Sequence, residues 1–191
     1  MLYPYEVGTI RNVVRVVAIV NLAYFVLEFI VAIRIGSVSL FADSIDFLED
    51  ASVNILIFVA LGWSLAARRR LSRFFALLLL VPAISVIIST IYKINNPTVP
   101  SGPTITAVAL GAFVVNFTCA FLLAKFRENQ QSLVMAAYLS ARNDALANFA
   151  IITAGVITVF WISPVPDLVV GISIGMLNAD AALKVWRSTE H

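Results

Sequence analysis

Four acidic residues within eight positions of one apolar stretch are the most unusual feature of this sequence. They are Asp43, Asp46, Glu49 and Asp50. In a membrane-spanning helix each carboxylate costs roughly 2.5 to 3.5 kcal/mol at the helix centre, so acids in such a place point to a function. Asp43, Asp46 and Asp50 follow an i, i+3, i+7 spacing and share one helical face. Because Asp46 and Asp50 lie one turn apart, both can bind the same cation.

A second polar stripe occurs in another apolar stretch. Ser140, Asp144 and Asn148 are spaced by four residues, so they share one face of a helix. Hydroxyl, carboxylate and amide oxygens are donors that suit hard divalent cations. Together the two stripes contain the residue types of an all-oxygen metal site.

The two stripes are expected to lie at the same depth in a bilayer. At about 1.5 Å per residue, a helix running inward from residue 38 places Asp46 about 12 Å and Asp50 about 18 Å below the outer face. A helix running outward from residue 132 places Ser140 about 12 Å and Asp144 about 18 Å above the inner face. Across a core of about 30 Å, Asp46 then levels with Asp144, and Asp50 with Ser140. We predict that these four residues form one metal site in the middle third of the membrane.

The elements that position the stripes follow from the composition of the 191-residue chain. Hydrophobic residues make up 61% and charged residues 13%, and the mean hydropathy is +0.96. A soluble domain carries about 25% charged residues, so the solvent for most of this chain is lipid. Six apolar runs are long enough for the roughly 20 helical residues that cross a bilayer. We predict an all-α membrane protein, a single transmembrane domain over residues 1–191, with six helices at about 12–34, 38–65, 74–93, 105–126, 132–160 and 167–186.

The lysine and arginine positions predict how the bundle is oriented. Of the 13 basic residues, two lie at one end of the helices, Arg34 and Lys93, and Arg142 lies within helix five. The other ten lie at the opposite end, and they are Arg11, Arg15, Arg68, Arg69, Arg70, Arg73, Lys125, Arg127, Lys184 and Arg187. Short loops with such an excess stay cytoplasmic, so we expect a multi-pass protein of the cell (inner) membrane with both termini in the cytoplasm.

A purely structural role is the alternative for each acid. Buried acids can be protonated or bonded to neighbouring helices, and they then specify packing instead of binding an ion. Asp43 or Glu49 can also pair with Arg142, which lies too deep to reach either surface easily. Glu28 either lines the same cavity or bonds a neighbouring helix.

Other features of the sequence exclude several classes of protein. The net charge of +2 is too small to indicate a nucleic-acid partner. Cys119 is the single cysteine, which excludes an intramolecular disulfide and a multi-cysteine metal site. The one histidine, His191, is the last residue, so no buried imidazole ligand is expected. No motif for nucleotide, haem or hydrolytic chemistry occurs, and we expect neither an enzyme nor a bound cofactor.

Two motifs resemble those of a known family of membrane transporters. The stretch from Gly36 to Asp50, which reads GSVSLFADSIDFLED, resembles the helix-two signature of cation diffusion facilitators. The stretch from Asn143 to Asn148, which reads NDALAN, resembles their helix-five signature. These proteins are proton-coupled exporters of zinc and related divalent metals, with six helices and cytoplasmic termini. The resemblance covers nearly the whole chain, and its helix-two motif is the more specific one.

The resemblance implies a metal site with two ligands from helix two and two from helix five. These positions fall on Asp46 and Asp50, and on Ser140 and Asp144. The family has His or Asp at the positions of Asp46 and Ser140, so serine departs from the pattern and is a weak ligand. The cytoplasmic C-terminal metal-sensing domain of the family, which contributes to dimerisation, is expected to be missing. A homodimer in the lipid bilayer is the assembly that the resemblance implies.

The oxygen ligands bear on which metal is carried. The family default is zinc, which prefers imidazole and thiolate, whereas manganese, magnesium and iron suit oxygen better. If Ser140 only packs, Glu49 or Glu28 is the alternative fourth ligand. Three carboxylates at one depth repel one another, so at least one takes a proton when the metal leaves. This predicts antiport of metal against protons, with the helices rocking to alternate access.

The sequence alone leaves two other functions open. One is a non-transporting membrane subunit or sensor derived from the same fold, which Ser140 and the missing soluble domain favour and the intact aspartates oppose. The other is a proton or organic-cation transporter that uses the same acids.

Overall fold

The computed structural model describes residues 4–60, 84, 86–126 and 132–188 of the chain, and these residues form helices joined by short connections. The helical segments are α1 (Pro4–Ile35), α2 (Val38–Ala60), α3 (Val86–Asn95), α4 (Gly102–Ala124), α5 (Ser132–Phe160) and α6 (Val165–Ser188). The described ranges contain no strand. The prediction of an all-α membrane protein with six helices is confirmed.

The helix bounds differ from the predicted ones mainly at the ends. α1 begins at Pro4 instead of residue 12, because a polar and basic first part continues the helix before the apolar run. α5 has the predicted bounds of 132–160. α2 begins at Val38 as predicted. Residues 61–65 of the predicted second helix and residues 74–83 of the predicted third helix lie outside the described residues.

Length and apolar composition mark three helices as able to cross a membrane, over Gly8–Ile35, Gly102–Ala124 and Ala137–Phe160. The described part of α3 and the stretch Val165–Leu177 of α6 are shorter apolar helices. α2 has 23 residues, which is also long enough, but its acids are too concentrated for it to count as apolar. The protein is an integral membrane protein in which α2 carries the polar groups into the bundle.

A tight turn reverses the chain between α1 and α2. Gly36 adopts φ 67°, in the left-handed region that glycine enters without strain. The N–H of Ser37 then donates to the carbonyl of Ala32 at 3.0 Å, which satisfies one of the last carbonyls of α1. We call the side of the bundle that carries this turn the Gly36 end.

Two antiparallel helix pairs, α1 with α2 and α4 with α5, make the most extensive contacts, and α2 also contacts α4, α5 and α6. Glycines bring two of these contacts to backbone distance. A Cβ on Gly102 of α4 would lie 2.6 Å from the carbonyl oxygen of Gly155 in α5. A Cβ on Gly171 of α6 would lie 2.7 Å from the carbonyl carbon of Val38 at the start of α2. α2 is therefore the central helix of the bundle.

The interior consists of two apolar clusters with polar residues between them. The cluster at the Gly36 end includes Ala32, Leu40, Ile105 and Ile151. The cluster at the opposite end includes Val14, Ile57, Leu123, Val134 and Ala141. Between them lies a set that we call the polar layer: Asn21, Glu28, Asp43, Asp46, Asp50, Asn54, Asn116 and Asn148, all buried, with Ser140 and Asp144 half-buried.

Candidate functional site

The acids of α2 face the interior of the bundle. Asp43, Asp46 and Asp50 are 0%, 8% and 3% exposed, as their common face on α2 predicts. Glu49 lies to the side of this face and is half-buried. The three aspartates therefore point toward α1 and α5. The other residues of α2 are mostly apolar, and they allow the helix to hold the aspartates inside the bundle.

The structure places the four residues of the predicted metal site at matching levels of α2 and α5. The Ser140 hydroxyl faces Asp50 across the two helices. The same hydroxyl donates to Asp144 Oδ2 at 3.5 Å within α5. Asp144 faces Asp46 from α5. Ser140 thus lies between the two aspartates, as an antiparallel pairing of the stripes requires.

These side chains do not yet converge on one point. Within the described part of the chain, no three Asp, Glu, His or Cys side chains lie close enough to hold one ion. Carboxylates repel one another, so only a cation between them can draw three of them to a single centre. Metal binding by Asp46, Asp50, Ser140 and Asp144 accordingly stays a prediction.

A chain of hydrogen bonds crosses the polar layer one turn from the predicted ligands. Asn148 of α5 donates through Nδ2 to Asp43 Oδ2 at 2.7 Å. Asn116 of α4 donates to Asn148 Oδ1 at 3.2 Å. The side chains of Asn148 and Asn116 are 0% and 1% exposed, so these bonds join α2, α5 and α4 away from solvent. The position of Asn148 one turn beyond Asp144 is the sequence signal for this contact.

Glu28 of α1 lies against the other side of Asp43. Both residues are 0% exposed, and their carboxyl groups are within hydrogen-bonding reach of each other. Both Glu28 oxygens and Asp43 Oδ1 have no hydrogen-bond donor among the residues that the structure describes. The structure therefore brings Glu28 against Asp43, and its role as the alternative fourth ligand stays a prediction.

The predicted ion pair between Arg142 and Asp43 or Glu49 is wrong. Arg142 is exposed, and its guanidinium donates to Asn143 Oδ1 at 3.3 Å. No ion pair joins it to either acid, both of which lie in the described residues. The reason is helical geometry, since Arg142 is two residues from both Ser140 and Asp144 and so projects from the opposite face of α5. It lies in a groove between α4 and α5 that Phe113, Phe117 and Phe149 also line.

A polar cluster at the Gly36 end, which we call the Asp167 cap, was not predicted from the sequence. Asp167 of α6 accepts hydrogen bonds from the Ser37 and Ser39 hydroxyls at 2.6 and 2.7 Å. It also accepts from the N–H groups of Val38 and Ser39, at 2.9 and 3.2 Å. Lys93 of α3 forms an ion pair with it at 3.5 Å and donates to the carbonyl of Gly36.

The Asp167 cap has a physical cause in helix geometry. The first N–H groups of α2 have no partner within their own helix and carry a partial positive charge, so a carboxylate stabilises them. Gly171 lies one turn after Asp167 on the same face of α6, and its lack of a side chain lets α6 approach the start of α2. The sequence signals were the two serines that begin α2 and the single lysine in an apolar run.

Comparison with known protein families identifies the chain. The family model described as the cation efflux transmembrane domain matches residues 14–189. The chain belongs to the cation efflux family. Its resemblance to cation diffusion facilitators is thereby confirmed over nearly its whole length, and members of this family are divalent cation transporters. None of the curated protein sequences compared with the chain matches it.

Proposed function

We propose that this cation efflux protein exports a divalent metal ion from the cytoplasm in exchange for protons. The observation that carries the proposal is the set of oxygen ligands on α2 and α5. Ser140 donates to Asp144 and faces Asp50, and Asp144 faces Asp46. A metal ion arriving between these helices replaces repulsion among three carboxylates by attraction to one centre.

The metal that fits this site best is harder than zinc. All four proposed ligands offer oxygen, and the weak corner at Ser140 can be completed by water, which Mn²⁺ and Mg²⁺ tolerate well. Zinc is the default of the family but gains most from imidazole or thiolate ligands, which this site lacks. We therefore expect Mn²⁺ or Fe²⁺ to compete well with Zn²⁺ for the site.

Proton coupling follows from the charge of the same residues. Three buried carboxylates without a cation repel one another, so protons bind when the metal leaves and are released when it returns. Rocking of the helices would open the site to one side of the membrane at a time. The protein is proposed to act in the cell (inner) membrane as a homodimer with both termini in the cytoplasm.

The decisive experiment is metal flux into sealed proteoliposomes under an imposed proton gradient. We expect Mn²⁺, Fe²⁺ or Zn²⁺ uptake that is driven by an opposing pH gradient and is abolished when a proton ionophore collapses it. Liposomes without protein are the control for leakage. Wild-type protein that carries none of a panel of divalent metals would refute the proposal.

A second candidate is a non-transporting subunit or sensor of the same fold. Ser140 at a ligand position favours it, as does the absence of three converging metal-binding acids in the described residues. The same proteoliposomes separate the two, because a sensor binds metal without flux.

The proposed topology has its own test. The ten basic residues at the end opposite Gly36 predict that both termini are cytoplasmic. A reporter fused to the C-terminus that functions only in the cytoplasm should be active. Activity of the complementary reporter, which functions only outside the cytoplasm, would contradict this orientation and reverse the direction of export.

A further inference from the structure

The carboxyl groups of Glu28 and Asp43 form a pair that the proposed metal site does not use. Glu28 comes from α1 and Asp43 from α2, and both side chains are 0% exposed. Their carboxyl groups lie within hydrogen-bonding reach of each other. Asp43 is also held on its other oxygen by Asn148, at 2.7 Å. The pair is therefore fixed in place from α1, α2 and α5 at once.

If both groups were ionised, the pair would consist of two hydrogen-bond acceptors that face each other with no donor between them. An ionised carboxylate only accepts hydrogen bonds, and in the described part of the chain both Glu28 oxygens and Asp43 Oδ1 have no donor. Two like charges in contact and away from water do not both ionise unless a cation lies beside them. One proton resolves the conflict, because a protonated carboxyl donates to its neighbour and leaves the pair with a single negative charge.

Among the described residues, the groups around the pair supply no competing cation. Tyr24 of α1 faces both acids, but its hydroxyl donates to the carbonyl of Val108 at 2.6 Å. From α2, Asp46 faces Glu28, and from α5, Asp144 faces Asp43, so the charged groups on these sides are acids. α4 contributes the neutral Asn116 through Asn148.

We infer that Glu28 and Asp43 share one proton and form a site for a coupling proton in addition to the acids that bind the metal. This inference rests on the proposed function of metal and proton antiport. Asp43 lies one helical turn from Asp46, so a divalent cation at the metal site acts on the pair at short range. Like charges repel, and the metal and the shared proton therefore exclude each other.

The exclusion gives a balanced exchange cycle. When metal binds from the cytoplasm, the shared proton leaves the pair to the cytoplasm as a solvated proton, and the pair carries two negative charges beside the metal. When the metal leaves on the other side, the pair takes one proton from that side. No other atom changes its bonding partner, and each cycle moves one proton inward through this pair.

Metal binding in detergent tests the inference without requiring transport. Purified protein in a weakly buffered solution is titrated with Mn²⁺, and again with Zn²⁺, while a pH indicator measures the protons released per metal bound. The substitutions are Glu28→Gln and Asp43→Asn, which keep the shape and the hydrogen bond but hold no exchangeable proton. Each is expected to release about one proton fewer per metal than wild type. Since the proton is shared, the double variant should also lose about one and not two.

Transport by the same variants gives the second measurement. The acceleration of metal uptake by a pH gradient should fall by about tenfold in each variant, within the range typical of coupled sites, while metal exchange without a gradient persists. Tyr24→Phe is the matched control, since it alters the same buried contact region and leaves both carboxyls. Its proton release should equal that of wild type.

The outcomes are distinguishable from failure of the proposed function. If Glu28→Gln and Asp43→Asn release as many protons as wild type, the pair does not hold the coupling proton. Loss of two protons in the double variant would also overturn sharing. If wild type releases protons on binding Mn²⁺ but carries no metal in proteoliposomes, antiport is wrong while the proton site stands. Thermal unfolding of each variant identifies any loss that is due to misfolding, and the other single variant then decides.

Discussion

The Asp167 cap and the polar layer are both buried clusters built on α2, and they differ in how their charges are matched. In the Asp167 cap, one carboxylate receives four hydrogen bonds and a lysine. In the polar layer, several acids lie together with no ion-paired cation among the described residues, and Glu28 and Asp43 keep oxygens without donors. A cluster that is complete in itself stabilises the fold. A cluster of acids without a paired cation is suited to bind a metal cation or protons.

The largest expected effect is on transport, from removing an acid of the polar layer. Asp50→Ala or Asp144→Ala should reduce metal flux to background, because each removes a proposed ligand. The free energy of unfolding should be unchanged or higher, since one of several repelling carboxylates is gone. Flux in proteoliposomes and thermal unfolding in detergent measure the two effects.

A control for this substitution lies on the same helix. Ser52→Ala removes a buried hydroxyl that bonds only the carbonyl of Leu48, at 2.7 Å, and should retain flux. Unchanged flux in both Asp50→Ala and Asp144→Ala would remove these residues from the transport site.

The opposite pattern is expected for the Asp167 cap. Asp167→Ala deprives four donors of their acceptor and leaves Lys93 buried without its partner. Breaking a buried pair in this way typically costs about 3 to 5 kcal/mol, so a large drop in thermal stability is expected. Asp167→Asn keeps one acceptor oxygen and should lose less. Equal stability of Asp167→Ala and wild type would show that the cap does not hold α2, α3 and α6 together.

A smaller effect is expected on the choice of metal. Ser140→His introduces imidazole, which binds zinc strongly, at the weak corner of the proposed site. The zinc affinity should rise relative to the manganese affinity, by roughly tenfold for each 1.4 kcal/mol that the new ligand adds. Ser140→Ala is the matched control and should not raise the ratio. If Ser140→His leaves the ratio unmoved, Ser140 is not at the metal.

The smallest effect is expected from Arg142, a charge that belongs to neither cluster. Its side chain is exposed and forms no ion pair with Asp43 or Glu49. Arg142→Gln should therefore change flux by less than about twofold and leave thermal unfolding nearly unchanged. A severe loss of flux would mean that Arg142 acts on the acids in another conformation of the bundle.

The sequence predicted the parts of this molecule that follow from periodicity and depth. Spacings of three and four residues placed Asp43, Asp46 and Asp50 on one helical face. Counting residues from the helix ends placed Asp46 and Asp144 at the same depth in the membrane. The Asp167 cap could not be predicted in this way, because it joins residues 130 positions apart through a contact between α2 and α6. A spacing of two residues turns Arg142 to the face of α5 opposite Ser140, a consequence that the predicted pairing did not take into account. The assumption that a deep arginine needs an acid led to the wrong pairing.

The backbone contact between Gly102 and Gly155 determines which helices can move as one body. The two glycines let the backbones of α4 and α5 touch directly, so we expect these two helices to move together. α2 is joined to α5 by the hydrogen bond from Asn148 to Asp43, which can break and form again without unfolding either helix. If the helices rock as proposed, we expect α2 to move against the α4–α5 pair across the polar layer. A larger residue at position 102 or 155 would separate α4 from α5, and we expect it to slow metal transport without altering any acid.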